Sequence, residues 1–265
     1  MTYGNNAADF FDADGCLCCG TCGKRKQMKV RFMGKEHTVG CLCDCEIRER
    51  KEREEEMRRE EARRELYRRK SVGLKERRFW EWRFENDNGT NDKIRIARQY
   101  AGHWEEMKQK NVGLLLTGPV GTGKSFFAGC IANALLEKGE RVMMTNFSRI
   151  LNELTNYQAD KNRIVQELAD YPLLIIDDLG IERSSEFALE QIYNVIDSRY
   201  CKMKPLIVTT NLGLGEMKDE RLDPAHKRIY SRIFEMCVPV YCGGTDKRKA
   251  EGAEKREWTQ KLLLG

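Results

Sequence analysis

Beyond residue 111 the chain alternates between two spacings of apolar residues. Short, nearly unbroken apolar runs read as strands over 112–117, 141–145, 173–177 and 205–210. Segments with apolar residues three and four apart read as helices over 124–137, 148–156, 161–169 and 186–200. Strands alternating with helices imply βαβ units and a mostly parallel sheet with both faces covered. The run LLIID at 173–177 suits a strand buried on both sides. Before these, 92–110 predicts one amphipathic helix, and the aromatic cluster Phe79, Trp80, Trp82 and Phe84 opens the globular part. Residues 46–70 differ: 20 of 25 are charged, with neither Gly nor Pro. Acid-first pairs such as Glu49/Arg53, Glu55/Arg59 and Glu60/Arg64 sit four apart, so this stretch reads as one solvated helix. Its apolar positions are too sparse for a coiled-coil seam, which favours a helical spacer. Residues 1–15 read as loosely ordered, and 243–265 as the end of a lid plus a polar tail.

Composition narrows the class. The 265 residues hold 47 Lys/Arg and 42 Asp/Glu, a net charge of +5. Charged residues make up 34% and hydrophobic ones 40%, so the chain is rich in surface. No apolar run approaches a membrane span. The first residues, MTYGNNAADFFDADG, carry neither a basic stretch nor an apolar core of a secretory signal. The expectation is a cytoplasmic protein with no membrane partner. The small positive charge is weak support for an anionic partner such as nucleic acid.

The strongest chemical signal is GPVGTGKS, which follows a predicted strand and opens a predicted helix. Its glycines Gly118, Gly121 and Gly123 let backbone amides close around phosphate oxygens. Lys124 is expected to reach the β- and γ-phosphates and Ser125 to bind Mg²⁺. Pro119, Val120, Thr122 and the following Phe126 complete the expected nucleotide-contacting stretch. Downstream, LLIIDDLG carries Asp177 and Asp178 to the carboxyl end of a strand, where open α/β sheets bind ligands. Asp177 is expected to hold Mg²⁺ through water, and Asp178 to orient or deprotonate the attacking water. PLIVTTNL ends in Asn211, whose amide suits holding that water. Arg228 and Arg232, four apart on one predicted helix, and Arg248 are the cations to consider for transition-state charge.

Seven of the 11 cysteines lie between Cys16 and Cys45. Cys19-x-x-Cys22-Gly has the spacing of a tetrahedral zinc knuckle. Two of Cys41, Cys43 and Cys45 are expected to complete a Cys₄ site; His37 is a lesser alternative, and Cys16 and Cys18 are surplus. Zinc is preferred over an iron–sulfur cluster or redox thiols on spacing and compartment. Some thirty residues bury too little core alone, so metal would drive their folding.

Taken together, the phosphate loop, the DDLG and TTNL strand ends and the RIYSRI helix resemble the AAA+ ATPases of the DnaC/DnaI-type replicative helicase loaders. The likeness is greatest to phage and prophage versions, and the ATP-binding core is IstB-like. WRFENDNG, MTNFSRILNEL, ALEQIYNVIDSRY and RIYSRIFEMC add to it, and the resemblance spans roughly 80–250. It implies an AAA+ P-loop sheet flanked by helices for the ATPase domain at 79–250, while composition and cysteine spacing set off a zinc-binding module at 1–45, a charged helical linker at 46–78 and a tail at 251–265. It implies Lys124 and Ser125 as Walker A residues, Asp177 and Asp178 as the Walker B pair and Asn211 as sensor 1. Arg232 matches an arginine finger acting on a neighbouring subunit. Arg248 matches sensor 2, although Lys247 stands where the family usually has an aromatic residue. The implied function is ATP-dependent loading of a hexameric replicative helicase onto single-stranded DNA, ATP acting as a switch. The implied setting is the bacterial cytoplasm, with self-association through the ATPase domain and the N-terminal region docking on the helicase. Arg149, Lys161 and Arg163 lie near the helix expected to approach DNA. A transposition helper ATPase of the IstB kind and a non-hydrolysing zinc-bearing adaptor are the rival readings.

Overall fold

The computed structural model describes residues 8–87, 89, 92–156, 160–180, 185–244 and 246–263, without the side chains of 247–251 and 254. Contacts divide the chain into two units, Met1–Glu65 and Leu66–Gly265. In the first, β1 (Phe10–Phe11) pairs antiparallel with β2 (Leu17–Cys18), and β3 (Gln27–Phe32) with β4 (Lys35–Gly40). Met33 and Gly34 join β3 to β4 with φ of 47° and 77°, a two-residue hairpin turn of the kind that suits strand twist. Residues 8–15 are more ordered than the sequence suggests. Asp12 accepts the amides of Asp14 and Cys16 and the Arg25 guanidinium at 2.6 Å. Residues 1–7 lie outside the described residues.

Helix α1 (Asp44–Gly73) contains the whole charged stretch. Its ion pairs include Arg64–Glu60 at 3.1 Å and Arg50–Glu54 at 2.8 Å, both exposed and so screened by solvent. The division between the two units falls inside this helix, between Glu65 and Leu66. The last turns of α1 join the second unit. Tyr67 meets Trp80 edge-on, and Lys70 Nζ donates to Trp80 O at 3.1 Å.

After α1 come two 3₁₀ turns, Arg77–Glu81 and Phe84–Asn86, then α2 (Ile94–Gly102) and α3 (Trp104–Gln109). The single helix expected at 92–110 is broken at His103, which leaves helical backbone between the two. The sheet then forms from β5 (Gly113–Thr117), β6 (Val142–Asn146), β7 (Leu173–Asp177), β8 (Leu206–Thr210) and β9 (Cys237–Tyr241). Its strands are all parallel, in the order β6-β7-β8-β5-β9. The helices between them are α4 (Lys124–Glu137), α5 (Phe147–Thr155), α6 (Lys161–Asp170), α7 (Glu186–Cys201), α8 (Leu214–Met217) and α9 (Pro224–Met236). Leu114 and Leu116 enter one apolar core with α2 and α4, while Leu115 enters the other with α5, α7 and α9. Leu173 and Ile175 face the first core, Leu174 and Ile176 the second. The alternation accounts for the unbroken apolar run. Two elements depart from the sequence reading. β9 contains Pro239, which an edge strand tolerates and a sequence pattern disguises. The expected polar tail is part of α10 (Lys247–Leu263), a stretch dominated by strong helix formers.

Candidate functional site

The loop between β5 and α4 stands at the carboxyl edge of the sheet. Strand order reverses there, with β6, β7 and β8 on one side of β5 and β9 on the other. Gly118, Gly121 and Gly123 have φ of 138°, 81° and 95°, conformations that side chains resist. A Cβ on Gly118 would strike the Cys242 carbonyl, and one on Gly121 the Asp246 carboxylate. Thr122 Oγ1 donates to Pro119 O at 2.9 Å and braces the turn. Lys124 Nζ is folded back into the loop and donates to Gly118 O and Pro119 O, both at 2.7 Å, and to Asn211 Oδ1 at 2.8 Å.

Asn211 continues that chain, donating through Nδ2 to Asp178 Oδ1 at 3.2 Å. Asp178 is a non-glycine residue at φ 56°. Such a conformation costs about 1–2 kcal/mol for most side chains and less for Asp. Here it is held by two bonds to β8: Asp178 N donates to Thr209 Oγ1 at 2.8 Å, and Leu179 N to Thr209 O at 2.8 Å. Thr209 Oγ1 in turn donates to Asp177 Oδ1 at 2.7 Å. Asp177 is buried, and desolvation holds its carboxyl above the usual carboxylate range. Hydrogen bonds from Thr209 and Ser125 pull the other way. Lys124, Ser125, Asp177, Asp178 and Asn211 are thus one connected constellation. Its acidic, hydroxyl-rich corner suits a hard divalent cation.

The constellation lines a cavity of about 370 Å³, together with Val120, Gly121, Gly123 and Phe126. Sequence reasoning missed the opposite wall. Arg78, Trp82, Asn86 and Asp87 come from the 3₁₀ turns and their flanks, and Asn146 from the end of β6. The aromatic cluster at 79–84 was the available signal, since Trp82 lies edge-on to Phe126 at 6.1 Å. Asn133 of α4 ties this wall to the loop helix, donating to Phe79 O at 2.7 Å and Trp82 O at 2.9 Å.

The expected basic residues lie elsewhere. Arg232 is on α9, outside the cavity lining; its Nε meets Asp197 Oδ1 at 3.2 Å and its guanidinium lies 3.9 Å over the Tyr200 ring. Arg228 is exposed on the same helix. Arg248 lies in α10, but its side chain is outside the described residues. Arg149 and Arg163 are exposed and pair with Glu76 and Glu167; Lys161 lies over Phe187 at 5.1 Å.

In the first unit, Cys19, Cys22, Cys43 and Cys45 bring their sulfurs within 4.8 Å of one another. Four thiolates about 2.3 Å from one zinc stand roughly 3.8 Å apart, so the donor set fits. A turn with Gly23 N donating to Cys19 O at 2.8 Å forms the first pair, and the start of α1 forms the second. Hydrogen bonds from the Lys24 amide, then from the Cys45 amide and the Cys45 and Cys19 thiols, hold the Cys22 thiol down to about 6. Cys41, the third candidate, instead donates to Arg25 O at 3.3 Å. Cys16 and Cys18 are buried outside the group, and His37 is exposed on β4.

A family model described as IstB-like ATP binding protein matches residues 26–254. The replicative helicase loader DnaC of Escherichia coli (strain K12) is 28% identical over 125 residues, covering 46% of this chain and 50% of that protein. The chain therefore spans about half the length of that relative. The phage-like element PBSX protein XkdC of Bacillus subtilis (strain 168) is 28% identical over 232 residues, 83% of this chain and 79% of that one. A crystal structure of DnaI superposes with a TM-score of 0.57 at 21% identity, over 68% of this chain and 98% of that chain. That likeness shows the fold, the helix-flanked parallel sheet expected from the sequence.

Proposed function

We propose, from the premise that this chain belongs to the IstB-like ATP binding protein family, that it is an ATP-hydrolysing loader of a replicative helicase onto single-stranded DNA. The observation that carries the ATPase reading is the bonded constellation Lys124–Asn211–Asp178–Thr209–Asp177 beside a glycine loop at one sheet edge. The loader reading rests on the similarity to a protein named as a replicative helicase loader. The similarity to a phage-like element protein over most of the chain favours a phage-type version.

Bound ATP with Mg²⁺ supplies the bond to be broken and the cation that Asp177 and Ser125 hold. The loop amides from Gly118 to Ser125 cradle phosphate oxygens, aided by the amino end of α4. Lys124 leaves its carbonyl partners for the phosphates. Asn211, freed from Lys124, positions water beside Asp178, which receives its proton. Arg232 of one copy stabilises charge in the site of its neighbour. Cys19, Cys22, Cys43 and Cys45 hold zinc and staple a module that docks on the helicase. Arg248 reads the nucleotide from α10.

The test uses the full chain with the replicative helicase of a host bacterium. Wild type is expected to bind ATP, turn it over and co-purify with the helicase, with about one zinc per chain. Lys124→Ala is expected to lose nucleotide binding. Asp178→Asn is expected to bind ATP but lose turnover by about a hundredfold or more. Equal turnover by wild type and Asp178→Asn would indicate a non-hydrolysing adaptor. Capture of a transposase in place of the helicase would overturn the loader reading.

A further inference from the structure

We propose that Arg78 is a second cationic contact for the nucleotide triphosphate, supplied by the same chain that supplies Lys124. The inference rests on the nucleotide reading above and assigns a residue that the sequence left unmarked. Among the described residues lining the cavity, Lys124 and Arg78 are the two cations, set against the carboxylates of Asp87, Asp177 and Asp178. A triphosphate brings further negative charge into that space, and one lysine is a thin counterweight.

The placement of Arg78 suits the task. Its side chain is 59% exposed, so it does not serve the core. Its Nε contacts Glu76 Oε2 at 2.6 Å, and its guanidinium lies 5.1 Å from the Phe79 ring centroid and 5.8 Å from that of Trp82. These contacts orient the planar group while its terminal nitrogens make no hydrogen bond among the described residues. A fork so held matches phosphate oxygens in the two-point manner that distinguishes arginine from lysine. The 3₁₀ turn that carries it is fixed to the loop helix by the two bonds from Asn133. The neighbour Arg77 behaves differently: it lies over the Trp80 ring at 5.7 Å and does not line the cavity.

The experiment measures ATP and ADP affinity of the full chain by calorimetry for wild type, Arg78→Ala, Arg78→Lys and Arg77→Ala, with melting temperature on each sample. Arg78→Ala is expected to weaken ATP by about tenfold and ADP by about threefold, as loss of a charge-assisted contact to the terminal phosphates requires. Arg78→Lys is expected to recover part of the loss, and Arg77→Ala to stay within about twofold of wild type. ATP binding by Arg78→Ala at wild-type strength overturns the proposal and leaves the ATPase reading standing. Equal loss of ATP and ADP also overturns it, since that pattern belongs to a scaffold for the base. Folded wild type that takes up no ATP overturns both readings, and Lys124→Ala then matches it.

Discussion

A carboxylate enclosed as Asp177 is carries a desolvation cost whenever it is ionised without a cation beside it. Burial raises its pKa above the ordinary 3.8, despite bonds from Thr209 and Ser125. In the unfolded chain the proton leaves first, so the unfolded state binds fewer protons across the window between the two values. Stability contributed by this group therefore falls as pH rises through that window and is lowest at neutral pH. Asp177→Asn keeps an oxygen for Thr209 and removes the charge. The nucleotide-free protein is expected to melt a few degrees higher at pH 7, with a smaller gain near pH 4. Magnesium-dependent ATP affinity is expected to fall by about tenfold or more. A calorimetric melt at both pH values checks the sign, and a lower melting temperature at pH 7 would show that Asp177 serves the fold. The sequence made Asp177 and Asp178 legible because two acids ended an apolar run. It gave no warning of Arg199, which is wholly buried and donates to the carbonyls of Ala169, Tyr171, Pro172 and Pro205. One arginine among 47 cations carries no sign that four carbonyls, at the end of α6 and just ahead of β7 and β8, await it. Burial pushes its pKa down to about 9, which still leaves it charged at neutral pH.

Helix α4 shows why one wall of the site could be read and the other could not. Its inner face was legible because it follows a glycine loop whose spacing carries its own geometry. Its other face receives Trp82, as the close approach at Gly129 shows. A Cβ there would overlap the Trp82 ring. Glycine in a helix interior is worth about 0.5–1 kcal/mol less than alanine, so Gly129→Ala at an open position would stabilise. At this one, overpacking costs about 1–3 kcal/mol and the sum changes sign. Gly129→Ala is expected to lower stability by about 1–2 kcal/mol in urea titration, and to weaken ATP binding by moving the Trp82–Phe126 edge. A variant more stable than wild type would mean that Trp82 does not rest on α4. The same logic explains the strand left unassigned: Cys237–Tyr241 has Pro239 in its middle and exposed Val238 and Tyr241, so the apolar signal is weak where the edge needs it least. The hairpin β3–β4 was hidden because cysteine spacing dominates its surroundings and its strands bury little.

At the scale of the whole molecule, the described lining of the cavity sets two cations against three carboxylates before any triphosphate enters. The described lining offers Lys124 and Arg78, whereas Arg232 sits on α9 against Asp197 and Tyr200. Hydrolysis concentrates negative charge on the transferring phosphoryl group, and a cation delivered from outside is worth about 10³–10⁵ in rate where such fingers operate. Arg232 is two-thirds shielded by its own partners, with 34% of its side chain exposed, which suits a group held ready at a surface more than one lodged in a core. The role proposed for Arg232 depends on a second copy, and mixing experiments separate the two explanations of any defect. Arg232→Ala is expected to bind ATP as wild type does and to lose turnover by about a hundredfold or more. Lys124→Ala is expected to be inactive because it cannot hold nucleotide. Mixed, the first variant contributes intact phosphate loops and the second contributes intact arginines, so turnover is expected to return to a sizeable fraction of wild type. A defect arising from lost packing against Tyr200 would lower the melting temperature of Arg232→Ala and would not be repaired by a partner. Activity that stays flat across all mixing ratios, with both variants folded and co-assembled, would place Arg232 in the scaffold and leave the neighbouring copy without a part in the chemistry.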